Sequence, residues 1–170
     1  MKYKPEKPVR SEFLVFGSPL ITAREIDAVN DVMKSCWIGT GPKVAEFERQ
    51  FREYIGCRHA LALNSCTAAL HLSMIASGVG PGCEVITTPM TFCATINAII
   101  HTGAKPVLVD INPETLNIDP SSIEAAITEK TKAILPVHFA GRPCDMDSLT
   151  AIAGKHNLLL IEDAAHAIEA

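Results

Sequence analysis

Short apolar runs alternate with helical stretches over the last two thirds of the chain, and this alternation restricts the fold more than any other feature. Repeated strand–helix units imply a mostly parallel sheet between two helix layers. We therefore predict an α/β domain with a three-layer α-β-α architecture, in which the carboxyl ends of the strands share one edge. The runs predicted as strands are 60–63, 85–88, 106–110, 133–137 and 158–161, and the intervening helices are 67–77, 94–101, one that opens at Pro120, and 146–156.

Capping signals place two further helices before these units. Thr22 is followed by a glutamate three positions on, the pattern of a capping box, which predicts a helix over 22–35. A second helix is predicted over 43–55, where apolar residues recur at helical spacing and Gly56 follows as a C-terminal cap. The chain therefore has helical structure ahead of the sheet.

Composition argues against several classes of function. The chain has 170 residues, of which 48% are hydrophobic, and a formal net charge of −4. Because no basic run is present, we expect neither nucleic acid nor an anionic membrane surface as a partner, and no apolar run is long enough to span a bilayer. Residues 1–18 lack the apolar centre of a signal peptide, so we predict an N-terminal arm over 1–18 and a domain over 19–170.

The spacing of the six cysteines favours neither disulfides nor a metal site. There is no Cys-x-x-Cys pair and no pair of nearby histidines at ligand spacing. Scattered cysteines in a chain with this much apolar sequence are usually reduced, buried small residues. We therefore expect no metal site and a cytoplasmic protein.

Two carboxylates and a histidine follow the last predicted strand, at Glu162, Asp163 and His166. The run 158–161 shows no alternation of polar and apolar residues, which is typical of a strand buried on both faces. Ligands of open α/β sheets bind beyond the carboxyl ends of such strands. Asp163 is therefore the first candidate for chemistry, and His166 is the second.

The turn Ser65-Cys66-Thr67-Ala68 lies between the first predicted strand and a helix. Its hydroxyl and backbone N–H groups would face outward at the positive end of the helix, an arrangement that binds phosphate. The simpler interpretation is that Ser65 or Thr67 only caps the helix. The turn has the spacing of neither a Walker loop nor a dinucleotide-binding loop.

Phe92 follows the second predicted strand in a polar setting, where a planar ligand could stack on its ring, although core packing is the alternative. His138 and Asp110 also end strands, but such residues often only cap loops. A phosphate-binding turn, an aromatic face and a buried carboxylate together fit pyridoxal 5'-phosphate (PLP). An aspartate at 163 would keep the pyridine nitrogen protonated, as electron-sink chemistry requires.

Five segments carry a family resemblance: Asn64–Leu70, Pro89–Thr95, Gly103–Asp110, Lys132–His138 and Glu162–His166, within a similarity from about Pro19 to the last residue. They resemble segments of the DegT/DnrJ/StrS family, whose members are fold-type I PLP-dependent aminotransferases that act on nucleotide-linked keto sugars. The resemblance implies the N-terminal part of the PLP-binding large domain, a homodimer in the full-length parent, a nucleotide-linked keto sugar as substrate and an amino donor, expected to be glutamate.

The resemblance also implies roles for residues of the turn. Thr67 and Ala68 would hold the phosphate of PLP, with Ser65 and Cys66 in the same turn. The loop 37–42 looks like the segment that borders the family's substrate entrance.

For the ring of PLP, the resemblance implies three contacts. Phe92 would stack on the ring, Asp163 would bind the pyridine nitrogen, and His166 would lie by the ring oxygen, where some members have glutamine.

One departure from the family pattern concerns the Schiff-base lysine, which lies a short way beyond Asp163 in the family. None of the nine lysines here occupies a matching position. Without that nucleophile the amino transfer lacks both its covalent link and its base, so we expect a chain truncated before the lysine and inactive alone. The alternatives are a sugar dehydratase of the same family, in which histidine replaces the lysine, and a non-catalytic module that binds a phosphate-bearing ligand.

Overall fold

The computed structural model describes residues 10–13, 15 and 17–168. These residues form two compact units, the first ending at Ala62 and the second beginning at Leu63. Most of the predicted arm over 1–18 lies outside the described residues. The helices are α1 (Ala23–Ser35), α2 (Pro42–Ile55), α3 (Cys66–Ala76), α4 (Cys93–His101) and α5 (Met146–His156), and the strands are β1 (Glu84–Thr87), β2 (Lys105–Leu108), β3 (Thr131–Leu135) and β4 (Leu159–Leu160).

The first unit contains the two helices that capping signals predict. Thr22 caps α1, and both its backbone N–H and its hydroxyl donate to the carboxylate of Glu25, which completes the capping box. Helix α2 begins at Pro42 and ends at Ile55. Gly56 caps its C-terminus with a left-handed φ of 76°, which suits glycine. Neither helix buries any of its residues.

The second unit contains a sheet of four parallel strands in the order β2-β1-β3-β4. Strand β1 is buried along its whole length and pairs with β2 on one side and β3 on the other. A hydrogen bond between two central strands runs from the hydroxyl of Thr87 to the carbonyl oxygen of Leu135 at 2.7 Å, in the buried interior. This bond adds to the backbone pairing of β1 with β3, in which Thr87 lies opposite Leu135.

Helices cover both faces of the sheet, which confirms the three-layer α-β-α prediction. Adjacent residues of β1 face opposite layers, as the pleat requires. Val85 packs in one core cluster with residues of α3 and α4, whereas Ile86 packs in a second cluster with Leu149 of α5. The sheet is therefore the middle layer of this unit.

The prediction of a strand over 60–63 is wrong. These residues form no strand and pair with none of the four strands in the described part of the chain, and Leu61 is 77% exposed. Strand structure depends on a neighbouring backbone that completes the hydrogen bonds. Apolar composition alone cannot supply that neighbour.

Two other predictions need correction. The run 158–161 forms only the two-residue strand β4, and Leu159 is 40% exposed, because this strand lies at the edge of the described sheet. Pro120 opens a short 3₁₀ helix, Pro120–Ser122, which is followed by a second one, Glu124–Ala126, where a longer helix was expected. Both elements are therefore shorter than their apolar patterns suggest.

The six cysteines are all free thiols, but the expectation that they are buried holds only for Cys144. Cys36, Cys66 and Cys93 are exposed, because each lies at or beside a helix end. Within the described ranges, no helix is both long and apolar enough to cross a membrane.

Candidate functional site

Asp163 lies just beyond β4 and is 6% exposed. Its backbone continues the parallel pairing with β3: the Asp163 N–H donates to the carbonyl of Pro136 at 2.9 Å, and its carbonyl accepts from the N–H of His138 at 3.1 Å. These two bonds attach the backbone of Asp163 to the end of a buried strand. The carboxylate is therefore held at the carboxyl edge of the sheet, where the sequence predicts a ligand site.

Three donors of the chain surround the Asp163 carboxylate. The hydroxyl of Thr95 donates to Oδ2 at 2.7 Å, and the Ala165 N–H donates to Oδ1 at 3.3 Å. The thiol of Cys66 lies 4.0 Å from Oδ1. The structure thus brings the turn after residue 64 and the acid after β4, 97 positions apart in sequence, to one place.

Thr95 is the residue of this site that the sequence analysis missed. It lies in the first turn of α4, is fully buried, and has the hydroxyl of Thr91 at 2.6 Å from its own. Two threonines four positions apart at a helix start are a visible signal in the sequence, and they form part of the polar setting of Phe92. Their partner across the sheet edge could not be identified from spacing.

The turn Ser65–Ala68 forms the start of α3. Ser65 caps the helix, because its hydroxyl accepts the N–H of Ala68 at 3.1 Å. The capping interpretation is therefore right for this side chain. The backbone N–H groups of Cys66 and Thr67 have no acceptor within the helix and are therefore suited to an anion. The side chain of Thr67 is exposed beside them.

The thiol of Cys66 has an altered acidity because of its position. Cys66 is exposed as a residue, but the protein around its sulfur partly desolvates the thiol. This desolvation raises the pKa of the Cys66 thiol, and the nearby charge of Asp163 raises it further. The first turn of α3 therefore presents a protonated thiol to the carboxylate, which is compatible with weak donation to Oδ1.

Phe92 and His166 both lie on the surface of the described structure. The ring of Phe92 belongs to a residue that is 77% exposed and precedes α4, so its interpretation as a core residue is wrong. His166 is exposed, three residues after Asp163. A Cβ added to Gly141 would lie 2.9 Å from the carbonyl oxygen of His166, so the loop after β3 packs closely against the backbone at this residue.

The other two strand-end candidates act as loop supports. The buried ring of His138 accepts the N–H of Cys144 through Nδ1 at 3.0 Å, and its Nε2 lies 2.9 Å from the carboxylate of Glu162. The carboxylate of Asp110 accepts the neighbouring Ile111 N–H at 2.8 Å. The loop-capping interpretation of both residues is therefore right.

Comparison with known proteins identifies a family and relatives of similar sequence. Residues 19–170 match the model of the DegT/DnrJ/EryC1/StrS aminotransferase family. The spore coat polysaccharide biosynthesis protein SpsC of Bacillus subtilis (strain 168) is 54% identical over 159 residues, which is 94% of this chain and 41% of that protein. The chain thus spans about two fifths of the length of this relative.

Solved structures of similar sequence have the same fold. An aminotransferase from Psychrobacter cryohalolentis is 45% identical with a TM-score of 0.85, over 88% of this chain and 38% of that one. NtdA from Bacillus subtilis, solved with bound cofactor PMP, is 39% identical with a TM-score of 0.84, over 87% of this chain and 35% of that one. The fold is therefore that of the fold-type I PLP-dependent sugar aminotransferases.

Proposed function

Because the chain belongs to the DegT/DnrJ/EryC1/StrS aminotransferase family, we propose that residues 19–170 form the N-terminal part of a PLP-binding large domain and hold that cofactor. The observation that carries this proposal is the distance of 4.0 Å between the Cys66 thiol and Asp163 Oδ1. It brings a helix N-terminus that is suited to phosphate next to a buried acid. PLP needs a site with both features.

The residues of the site fit the groups of PLP. The first turn of α3 offers N–H groups and the exposed hydroxyl of Thr67 to a phosphate. Ionised Asp163 accepts hydrogen bonds from Thr95 and Ala165 and has acceptor capacity for a further N–H donor. The exposed ring of Phe92 provides an apolar face for a planar ligand.

In this proposal each residue has a definite task. When bound, PLP supplies an electron sink for bonds at the substrate's amino-bearing carbon. Asp163 holds a proton on the pyridine nitrogen, because an opposite charge beside that nitrogen favours its protonated form. Phe92 would orient the ring, Thr67 and Ala68 with the rest of their turn would anchor the phosphate, and His166 would lie by the ring oxygen.

We extend the proposal to an amino transfer from a donor such as glutamate to a nucleotide-linked keto sugar, carried out by a cytoplasmic homodimer. The sugar is supported by SpsC, a polysaccharide biosynthesis protein. The lysine that would link to PLP is expected after Asp163, and no lysine of this chain follows Lys155. The transfer is therefore proposed only for a polypeptide that also supplies that lysine.

Titration of the chain with PLP tests cofactor binding. We expect saturable binding, which Asp163→Asn weakens by about tenfold or more, because a charge-assisted hydrogen bond to the pyridine nitrogen is lost. Asp147→Asn, an exposed acid in the first turn of α5, is the matched control and should bind like the wild type. Absence of saturable PLP binding, or equal PLP affinity of the Asp163→Asn variant and the wild type, would refute the proposal.

Borohydride reduction tests the expectation about the lysine. We expect the 170-residue chain to bind PLP without forming a reduced adduct on any single lysine, whereas a polypeptide that includes the expected lysine should give one. Peptide mass spectrometry locates the adduct. A single modified lysine within this chain would contradict the expectation.

A further inference from the structure

We propose that Thr91 and Thr95 form a hydroxyl relay that positions the Asp163 carboxylate for the pyridine nitrogen of a bound cofactor. The relay depends on the proposed function for its ligand, whereas its geometry lies within the chain. Thr95 Oγ1 is 2.7 Å from Asp163 Oδ2, and the two threonine hydroxyl oxygens are 2.6 Å apart. These distances are those of well-formed O–H···O hydrogen bonds.

The relay has one direction when Asp163 is ionised. A carboxylate can only accept, so Thr95 must use its single hydroxyl proton on Oδ2. The bond between the two hydroxyls must then be donated by Thr91 and accepted by Thr95. Each hydroxyl therefore polarises the next, and this strengthens the bond to the acid by about 10–30%.

The hydrogen bond between Thr95 and Asp163 lies in the buried interior. Thr95 has no exposed area and Asp163 is 6% exposed, so water does not readily replace the hydroxyl. With Oδ2 held by Thr95, the carboxylate cannot rotate without breaking this bond. The orientation of Oδ1, the oxygen on the Cys66 side, is thereby fixed as well.

Variants that separate shape from hydrogen bonding test the relay through PLP affinity. Thr95→Val keeps the side-chain shape but removes the hydroxyl, and we expect about 10- to 100-fold weaker binding, as for a buried charged group that loses a hydrogen bond. Thr95→Ser keeps the hydroxyl and should bind PLP like the wild type. Equal affinity of the Thr95→Val variant and the wild type would overturn the relay.

Thr91→Val keeps the proposal testable if Thr95→Val does not fold. Thr91 is only half-buried, and its replacement leaves the Thr95 hydroxyl in place without its donor. We expect PLP affinity to fall by roughly threefold, a smaller loss than in Thr95→Val, because only the polarising bond is removed. Unchanged affinity would show that the outer hydroxyl has no part in positioning.

A measurement without PLP distinguishes failure of the relay from failure of the proposed function. The carboxyl ¹³C resonance of Asp163, assigned with Asp163→Asn, should shift in Thr95→Val and stay near its wild-type position in Thr95→Ser. If that pattern appears but PLP does not bind, the proposed function is wrong and the relay remains. If PLP binds to the wild type and neither affinity nor resonance responds to Thr95→Val, the relay is wrong.

Discussion

The imidazole of His138 connects the loop after β3 to the residue that precedes the candidate acid: Nε2 lies 2.9 Å from the Glu162 carboxylate. Nδ1 of the same ring accepts the N–H of Cys144. A nitrogen that accepts a hydrogen bond carries no proton, so Nε2 bears the ring proton and its N–H donates a hydrogen bond to the Glu162 carboxylate. One side chain thus contacts both the loop at Cys144 and the carboxylate of Glu162, the residue before Asp163.

Removing this ring should destabilise the fold. We expect His138→Leu to lower the free energy of unfolding by about 1–3 kcal/mol, because the buried N–H of Cys144 loses its acceptor. His138→Asn should recover part of the loss, since its side-chain oxygen can take the place of Nδ1. Urea denaturation followed by circular dichroism measures both variants, and equal stability of His138→Leu and the wild type would contradict the expectation.

Alkaline pH should destabilise the fold through Cys144. Burial, with a smaller contribution from Glu162, raises the pKa of the Cys144 thiol from 9.0 to about 11. Between these values the unfolded chain loses the proton while the folded chain keeps it, so stability falls as pH rises through this interval.

Cys144→Ser isolates this thiol from other groups that titrate at high pH. Its hydroxyl can still donate to the Val137 carbonyl, as the thiol does at 3.2 Å. We expect the free energy of unfolding to fall less steeply between pH 9 and about 11 in Cys144→Ser than in the wild type. Denaturant titrations at several pH values provide the comparison, and identical slopes would refute the assignment to Cys144.

Cys66 should react faster with iodoacetamide when Asp163 loses its charge. Burial and the Asp163 charge both raise the pKa of the Cys66 thiol, and the thiolate is the reactive form. In Asp163→Asn only the burial contribution remains, so the alkylation rate at pH 8 should increase. Mass spectrometry follows the rate, with the exposed Cys36 in the same molecule as the internal reference. A slower or unchanged rate at Cys66 would count against the electrostatic contact.

Gly141 should not tolerate a side chain. Its φ is 85°, and an added Cβ would lie 2.9 Å from the carbonyl oxygen of His166. We expect Gly141→Ala to cost about 1–3 kcal/mol of stability from backbone strain and this clash.

Gly154→Ala is the matched control for that substitution. It lies within α5, and an added Cβ would meet no atom within 4 Å, so the change should stabilise by about 0.5–1 kcal/mol. Thermal and denaturant unfolding of both variants give the comparison. A neutral Gly141→Ala would mean that the loop can move away from His166.

Local signals predicted α1 to α5 well, because their causes are local, whereas the longer helix predicted from Pro120 is wrong. Thr22 and Glu25 are three residues apart and make the capping box without help from the rest of the chain. Residues 60–63 show the opposite case, since a strand needs a partner that a local apolar pattern cannot guarantee. The end of the last predicted strand indicated Asp163 as a candidate, and the resemblance to a known family implied its role. Thr95 emerged only from the structure, because its bond to the acid spans 68 positions.

The opposite facing of Val85 and Ile86 has a consequence for the acid that lies far from them in sequence. Each is fully enclosed by its own layer, so β1 cannot slide by one residue without turning both to the wrong side. Such a slide would displace the chain that leads into α4 by about 3.3 Å relative to β3. A displacement of that size would break the hydrogen bond between the Thr95 hydroxyl and the Asp163 carboxylate. The packing of two aliphatic side chains therefore sets the position of Thr95 relative to Asp163.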